Sequence, residues 1–320
     1  MLGSAMPKNS TVVRSRHTVR LIRTALHAAY AISEDLGTSL AERMFTTPRR
    51  HARPRRETAI LASARDVAFE VTLRSPRWHG DRRTLVGWRW GFGPTVLLVH
   101  GWEGRGSQLG AFVAPLVAAG LSVVAFDAPG HGDSPDHALY LTDLADCVGD
   151  VAHAAGPLHG IVAHSFGAAA VLLARARGGV SAPRNVMLAP NVIIEDAFAR
   201  FARLVGLDEL DRTALERRIA EHAGVSLEAL ALDRLTAGCD TALLVVHDRD
   251  DREIPLAHGE RLAATWPSAQ LRTTEALGHR RILRDPDVIA RTVAFVREGV
   301  PAPASDLVRE VDRWLGAGAS

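Results

Sequence analysis

His159-Gly160-Ile161-Val162-Ala163-His164-Ser165-Phe166-Gly167 is the stretch whose reading decides how this chain folds. An apolar run, Ile161 to Ala163, stops at a serine set between two small residues, Ala163 and Gly167. A helical run from Ala168 to Ala176 follows at once. The order is strand, sharp turn, helix, with Ser165 at the apex. A residue held there takes a strained backbone, and its side chain projects above the sheet edge. Small neighbours two positions to either side let strand and helix close up. An ordinary helix cap also puts serine before a helix, so other segments must decide between cap and nucleophile.

Working outward, strand-like runs alternate with helical ones. Val67 to Leu73, Leu85 to Trp90 and Thr95 to Val99 come first. A helix begun near Ser107 closes at Leu116 to Leu121, Val123 to Phe126 is a strand, and Tyr140 to Ala155 is a helix. Val186 to Ala189, Leu243 to Val246 and Gln270 to Thr274 read as strands, and Asp285 to Val300 as the last large helix. Near-continuous apolar strands between helices predict an α/β fold with a mostly parallel, doubly wound sheet covered on both faces. Active sites of such sheets gather at the carboxyl ends of the strands.

More than fifty residues separate the strands at 186 and 243, with helical patterns and no strand candidate, which is too long for a simple crossover. Residues 191–236 are therefore expected to form a helical cap inserted into a core made of 67–190 and 237–300. Residues 17 to 45 carry apolar side chains at helical spacing and predict one or two helices. The segment 48 to 57, with Pro48, Pro54 and five arginines, reads as an extended connector, so 1–66 is a basic helical extension and linker. Residues 301–320 are a Pro/Ala-rich tail with a short helix expected at 305 to 315, and Met1 to Ser10 is small and polar.

Composition narrows the function classes. Basic and acidic residues nearly cancel at +2, which gives no global case for nucleic acid. The imbalance is local: residues 1 to 66 hold twelve Lys or Arg against five Asp or Glu. That reads first as a solvated, charge-dense linker and second as weak contact with an anionic membrane surface. Cys147 and Cys239 lie far apart without metal-type spacing, so a reducing, cytoplasmic compartment is expected. No run of about 18 apolar residues predicts a membrane span.

A serine nucleophile needs a base within hydrogen-bond reach, a group that orients the base, and donors for a developing oxyanion. His279, in Ala-Leu-Gly-His-Arg-Arg, follows the last strand on a glycine turn and is the base candidate. The orienting acid should follow the penultimate strand, where Asp248, Asp250 and Asp251 compete. His247 among these carboxylates lacks a second histidine nearby, so no metal is expected. The Phe166 N–H, directly after the serine, is one oxyanion donor; the Trp102 N–H, after Val99-His100-Gly101, is the other. Phe126 to Ser134 ends another strand in a glycine-rich loop and reads as a structural turn bordering the site.

Together Val-His-Gly-Trp, Phe-Asp-Ala-Pro-Gly-His-Gly-Asp-Ser, Ala-His-Ser-Phe-Gly and Leu-Gly-His-Arg resemble the α/β-hydrolase superfamily, across roughly residues 67 to 300. The resemblance implies Ser165 as nucleophile, His279 as base and the Trp102 and Phe166 N–H groups as oxyanion donors. The family's pattern of His-Gly, two residues, Asp, two residues, Val-Pro puts the acid on Asp251, with Asp250 second. Ala163 stands where the family commonly has glycine, and the basic extension lies outside the shared fold. The leader Phe-Thr-Thr-Pro-Arg-Arg is similar to that of a group of bacterial hydrolases. The implied activity is a cofactor-free serine hydrolase acting on a small acyl ester: carboxylesterase first, then thioesterase, acyltransferase and lipase. A non-catalytic ligand receptor on the same fold is the reading from another class. Acyl chain length depends on the shape of the cap, which spacing does not encode.

Overall fold

The computed structural model of the chain describes residues 16–135 and 137–300. Met1 to Ser10 and the helix expected at 305 to 315 lie outside the described residues. The strands are β1 (Arg65–Leu73), β2 (Asp81–Trp90), β3 (Thr95–Val99), β4 (Ser122–Phe126), β5 (Leu158–His164), β6 (Arg184–Leu188), β7 (Ala242–Asp248) and β8 (Ala269–Thr274). The helices are α1 (Arg16–Ile32), α2 (Glu34–Thr46), α3 (Arg55–Leu61), α4 (Val113–Ala118), α5 (Leu141–Ala155), α6 (Phe166–Ala176), α7 (Ile194–Val205) and α8 (Glu209–Ala223). Four more follow: α9 (Leu232–Leu235), α10 (Ala257–Thr265), α11 (Gly278–Arg281) and α12 (Pro286–Arg297).

The apolar runs become buried strands. Every residue of β3 (Thr-Val-Leu-Leu-Val) and of β4 (Ser-Val-Val-Ala-Phe) is buried, as strands covered on both faces require. Burying one such Val or Leu side chain contributes about 1.5–3 kcal/mol. β1 alternates instead, with Phe69, Val71 and Leu73 inside, as befits an edge strand. One sheet of eight strands results, in the order β1-β2-β4-β3-β5-β6-β7-β8. β2 runs antiparallel to β1 and β4, and the strands from β4 through β8 are mutually parallel. Val96, Leu98, Val162, Leu188 and Val246 join one core with residues of α4 and α12. The alternating positions face α5 and α6 on the other side.

Two expectations shift in detail. The helix expected at 107 to 121 is a 3-10 turn, Gly106–Phe112, followed by α4. A Cβ at Gly106 would meet Phe126 O at 2.9 Å, so the chain winds tightly where it passes β4. The connector at 48–57 is irregular only to Pro54, after which α3 begins. Between β6 and β7 the described residues hold helices and no strand.

The chain divides into two units, one of residues up to Phe45 with Glu195–Ile219, the other of Thr46–Ile194 and residues from Ala220 on. In the first, Arg218 bridges Asp35 (2.8 Å) and Glu42 (3.0 Å). Arg23 Nη2 donates to Arg203 O at 2.9 Å, occupying a carbonyl at the end of α7. Phe45 stacks on Phe198 at 4.8 Å and meets Phe201 edge-on at 5.1 Å. No helix among the described residues is long and apolar enough to cross a membrane.

Candidate active site

Within the second unit, β3, β5 and β7 stop at a common rim, with Val99 beside Ala163 and His164 beside Leu188. The turns beyond that rim carry the candidate residues. Ser165 sits between β5 and α6 at φ +53, a left-handed backbone that costs a residue with a side chain about 1–3 kcal/mol. Its surroundings hold it there. Its N–H donates to Leu188 O at 3.0 Å, and its carbonyl accepts from Ala168 N–H (3.0 Å) and Asn191 N–H (3.1 Å). Gly167 is required by contact: a Cβ would come within 2.5 Å of His100 O, so α6 lies directly on the end of β3.

His279 meets the serine from across the rim, with Nε2 2.9 Å from Ser165 Oγ and Nδ1 2.7 Å from Asp251 Oδ2. A carboxylate only accepts, so Nδ1 carries the proton and Nε2 is left to accept from the serine hydroxyl. The Asp251 side chain is fully buried. Burial alone would raise its carboxyl, but hydrogen bonds from His247 and His279, and from the Ile254 N–H, hold it well below the usual carboxylate range. Its Oδ1 accepts from Glu253 N–H (2.8 Å) and Ile254 N–H (3.0 Å).

The other two aspartates of that loop organise the histidine's own turn. Asp248 accepts from the Thr274 hydroxyl (2.7 Å) and from the N–H groups of Leu277 (3.1 Å), Gly278 (2.9 Å) and Asp250 (3.0 Å). Asp250 accepts from Ala276 N–H at 2.9 Å. Sequence reasoning weighed both only as rivals of Asp251; their clustering beside the β8 turn is the signal that they tie two loops together. His247, buried, places Nε2 3.1 Å from Ile254 O and 3.5 Å from Asp251 Oδ2.

The turn after β3 presses on the serine. A Cβ at Gly101 would stand 2.9 Å from Ser165 Cβ, and Gly104 N–H closes the turn on Gly101 O at 3.0 Å. His100 spans it, with Nδ1–H to Gly101 O (2.8 Å) and Nε2 accepting from Ala128 N–H (3.0 Å). The Trp102 ring packs edge-on against Phe166 at 5.7 Å. Among the described residues no hydrogen bond engages the N–H of Trp102 or of Phe166. The glycine-rich loop after β4 borders the site, where Asp127 accepts from Gly106 N–H (2.7 Å) and Asp133 N–H (2.8 Å). Burial keeps the histidines here neutral, lowering His100 to about 3 and His131 to about 4, and it pushes Asp127 up to about 6. Among the described residues no group of three or more His, Cys, Asp or Glu is arranged to hold a metal ion.

Residues 96–292 match the model of a family described as the alpha/beta hydrolase family. Among curated proteins, a pimeloyl-[acyl-carrier protein] methyl ester esterase of Aromatoleum aromaticum is 28% identical over 248 residues, covering 64% of this chain and 99% of that protein. An esterase of Pyrococcus furiosus superposes with a TM-score of 0.57 at 18% identity, over 79% of this chain and 97% of that one. A thermophilic esterase of Thermogutta terrifontis does so with 0.54 at 17%, over 72% and 97%. At these identities the solved structures speak to the fold alone.

Proposed function

This chain belongs to the alpha/beta hydrolase family, and we propose that it hydrolyses carboxylic esters with Ser165 as nucleophile, through an acyl-enzyme. One observation carries the reading: Ser165 Oγ, both nitrogens of His279 and Asp251 Oδ2 form an unbroken chain of contacts of 2.9 and 2.7 Å. Serine attacks the ester carbonyl as its proton passes to His279 Nε2, and Asp251 stabilises the imidazolium that forms. The Trp102 and Phe166 N–H groups receive the developing oxyanion. The imidazolium returns its proton to the leaving alkoxide, freeing the alcohol. His279 then takes a proton from water, whose oxygen attacks the acyl carbon; the carboxylic acid leaves and Ser165 Oγ recovers its proton.

The Aromatoleum relative named for a methyl ester on an acyl carrier supports an acyl ester as the substrate class. Two free, buried cysteines support a reducing, cytoplasmic setting as part of the same proposal. The test is labelling with a fluorophosphonate probe together with turnover of p-nitrophenyl esters from acetate to palmitate. Wild type should label and turn over, while Ser165→Ala should lose labelling and at least about 10⁴-fold in kcat. A folded wild type that neither labels nor turns over would overturn the reading in favour of a ligand receptor.

A further inference from the structure

The Arg-rich stretch before α3, a connector by composition, lies across two loops of the rim. Arg49 sends Nε and Nη2 to the two carboxylate oxygens of Glu103, at 2.7 and 2.8 Å, and its main-chain N–H adds a third contact at 3.3 Å. Arg53 pairs with Asp133 at 2.7 Å. At the start of α3, buried Glu57 takes Arg105 Nε at 2.6 Å and the Ser107 hydroxyl at 2.9 Å.

Glu103 is where these contacts meet the site. It lies one residue beyond Trp102 and holds φ +53, a left-handed backbone unfavourable for a residue with a side chain. Its N–H donates to His131 Nε2 at 3.0 Å, and His131 Nδ1–H donates in turn to Pro129 O at 2.9 Å. On the other side of Trp102, Gly101 is pressed against Ser165. A strained turn keeps its shape only while its surroundings over-determine it. Here a neutral imidazole fixes the N–H of Glu103, and a two-pronged guanidinium fixes its side chain. Burial would raise the Glu103 carboxyl, but the hydrogen bonds and charge of Arg49 hold it below its ordinary value. The ion pair is therefore intact at neutral pH.

We propose that Arg49 is a positioning residue for the oxyanion site: its fork on Glu103 holds the Gly101–Gly104 turn in the strained form that keeps the Trp102 N–H beside Ser165. The catalytic consequence rests on the hydrolase reading above; the clamp itself does not. The Arg49 side chain is 48% exposed and that of Glu103 15%, so the pair adds little to global stability. Its effect falls on the order of one turn, and donors to an oxyanion act only when preorganised.

Two measurements test this on the full chain. Hydrogen exchange followed by mass spectrometry reads amides in peptides covering 100–106, with β7 as internal reference. Steady-state kinetics on p-nitrophenyl butyrate separates kcat from KM. Arg49→Ala should exchange at 100–106 at least about tenfold faster with β7 unchanged, and should lose about tenfold or more in kcat with KM within about twofold. Removing an oxyanion donor outright costs about a hundred- to a thousandfold, so a loosened donor should cost less than that. Arg49→Lys, which keeps the charge without the fork, should fall between. If Arg49→Ala does not fold, Glu103→Gln, which keeps the shape and drops the charge, carries the same comparison. Unchanged exchange at 100–106 overturns the clamp. Faster exchange with unchanged kcat overturns the positioning role. Should wild type and Ser165→Ala both be inactive, the hydrolase reading fails and takes the catalytic consequence with it, while the exchange result still decides the clamp.

Discussion

Asp248, Asp250 and Asp251 lie within four positions of one loop, yet their environments give them different tasks. Only Asp251 reaches the His279 ring, at 2.7 Å, while Asp248 and Asp250 accept main-chain N–H groups of the turn that carries His279. Asp251→Asn should therefore lower kcat by about 10⁴-fold, because an amide cannot hold the Nδ1–H tautomer as a carboxylate does. Asp250→Asn should cost less than about tenfold, since an amide oxygen can still accept from Ala276 N–H. Stopped-flow measurement of p-nitrophenolate release compares the two, and equal losses would contradict the division of labour. Order along the chain left all three aspartates open, because each precedes the histidine and follows a strand-like run, and only the resemblance's spacing favoured Asp251. What separates them is the path of the loop, which is set by hydrogen bonds to β8 and its turn rather than by spacing.

At the scale of elements, buried strands were legible because Val, Ile, Leu and Ala runs must be covered on both faces. β3 matches its expected range, Thr95 to Val99, and the other strands run one to four residues longer. α3 was hidden: seven residues opening with two arginines carry little periodicity, and so short a helix is not stable alone. It forms where buried Glu57 meets Arg105 and Ser107, partners some fifty positions away. The start of α12 is legible for the opposite reason. Asp285 caps it locally, accepting from Asp287 N–H (3.1 Å) and Val288 N–H (3.0 Å), with Pro286 in the first turn. Asp285→Ala should cost about 1 kcal/mol, seen as a fall of a few degrees in Tm. Its kcat should stay within about twofold of wild type.

At the scale of the whole molecule, three buried histidines, His100, His131 and His164, are held neutral chiefly by desolvation. Each has a folded-state pKa below its ordinary value of 6.5, so the unfolded chain binds more protons as pH falls. Their contribution is fully present above about 6.5 and is lost on acidification below it, toward about 4 for His131 and about 3 for His100. Each proton is worth about 1.4 kcal/mol per pH unit. Asp127, pushed up to about 6 by burial, runs the other way: it takes up a proton in the folded state first and offsets part of the loss. Asp143 and Asp146, also raised by burial, add to that offset. Urea midpoints at pH 7, 6 and 5 should fall, each histidine proton not offset by a carboxylate contributing up to about 1.4 kcal/mol per pH unit. His131→Gln should flatten that slope by about one proton below pH 6. A midpoint independent of pH would contradict the neutral buried histidines. On the same scale, the basic leader is divided between uses. α1 and α2 group with Glu195–Ile219, whereas residues from Thr46 on group with the sheet.

By itself the sequence determined the parallel core, the elbow at Ser165 and the fact that a histidine and an acid follow the last two strands. Those features are written in short-range apolar periodicity and in the small residues a tight turn demands. Tertiary structure alone decided that Asp248 and Asp250 hold the turn that carries His279, that α3 is a helix, and that Arg49 grips the turn bearing Trp102. Each of these pairs groups remote or equivalent in the chain. Their energies depend on distance and burial in space, which linear order does not specify.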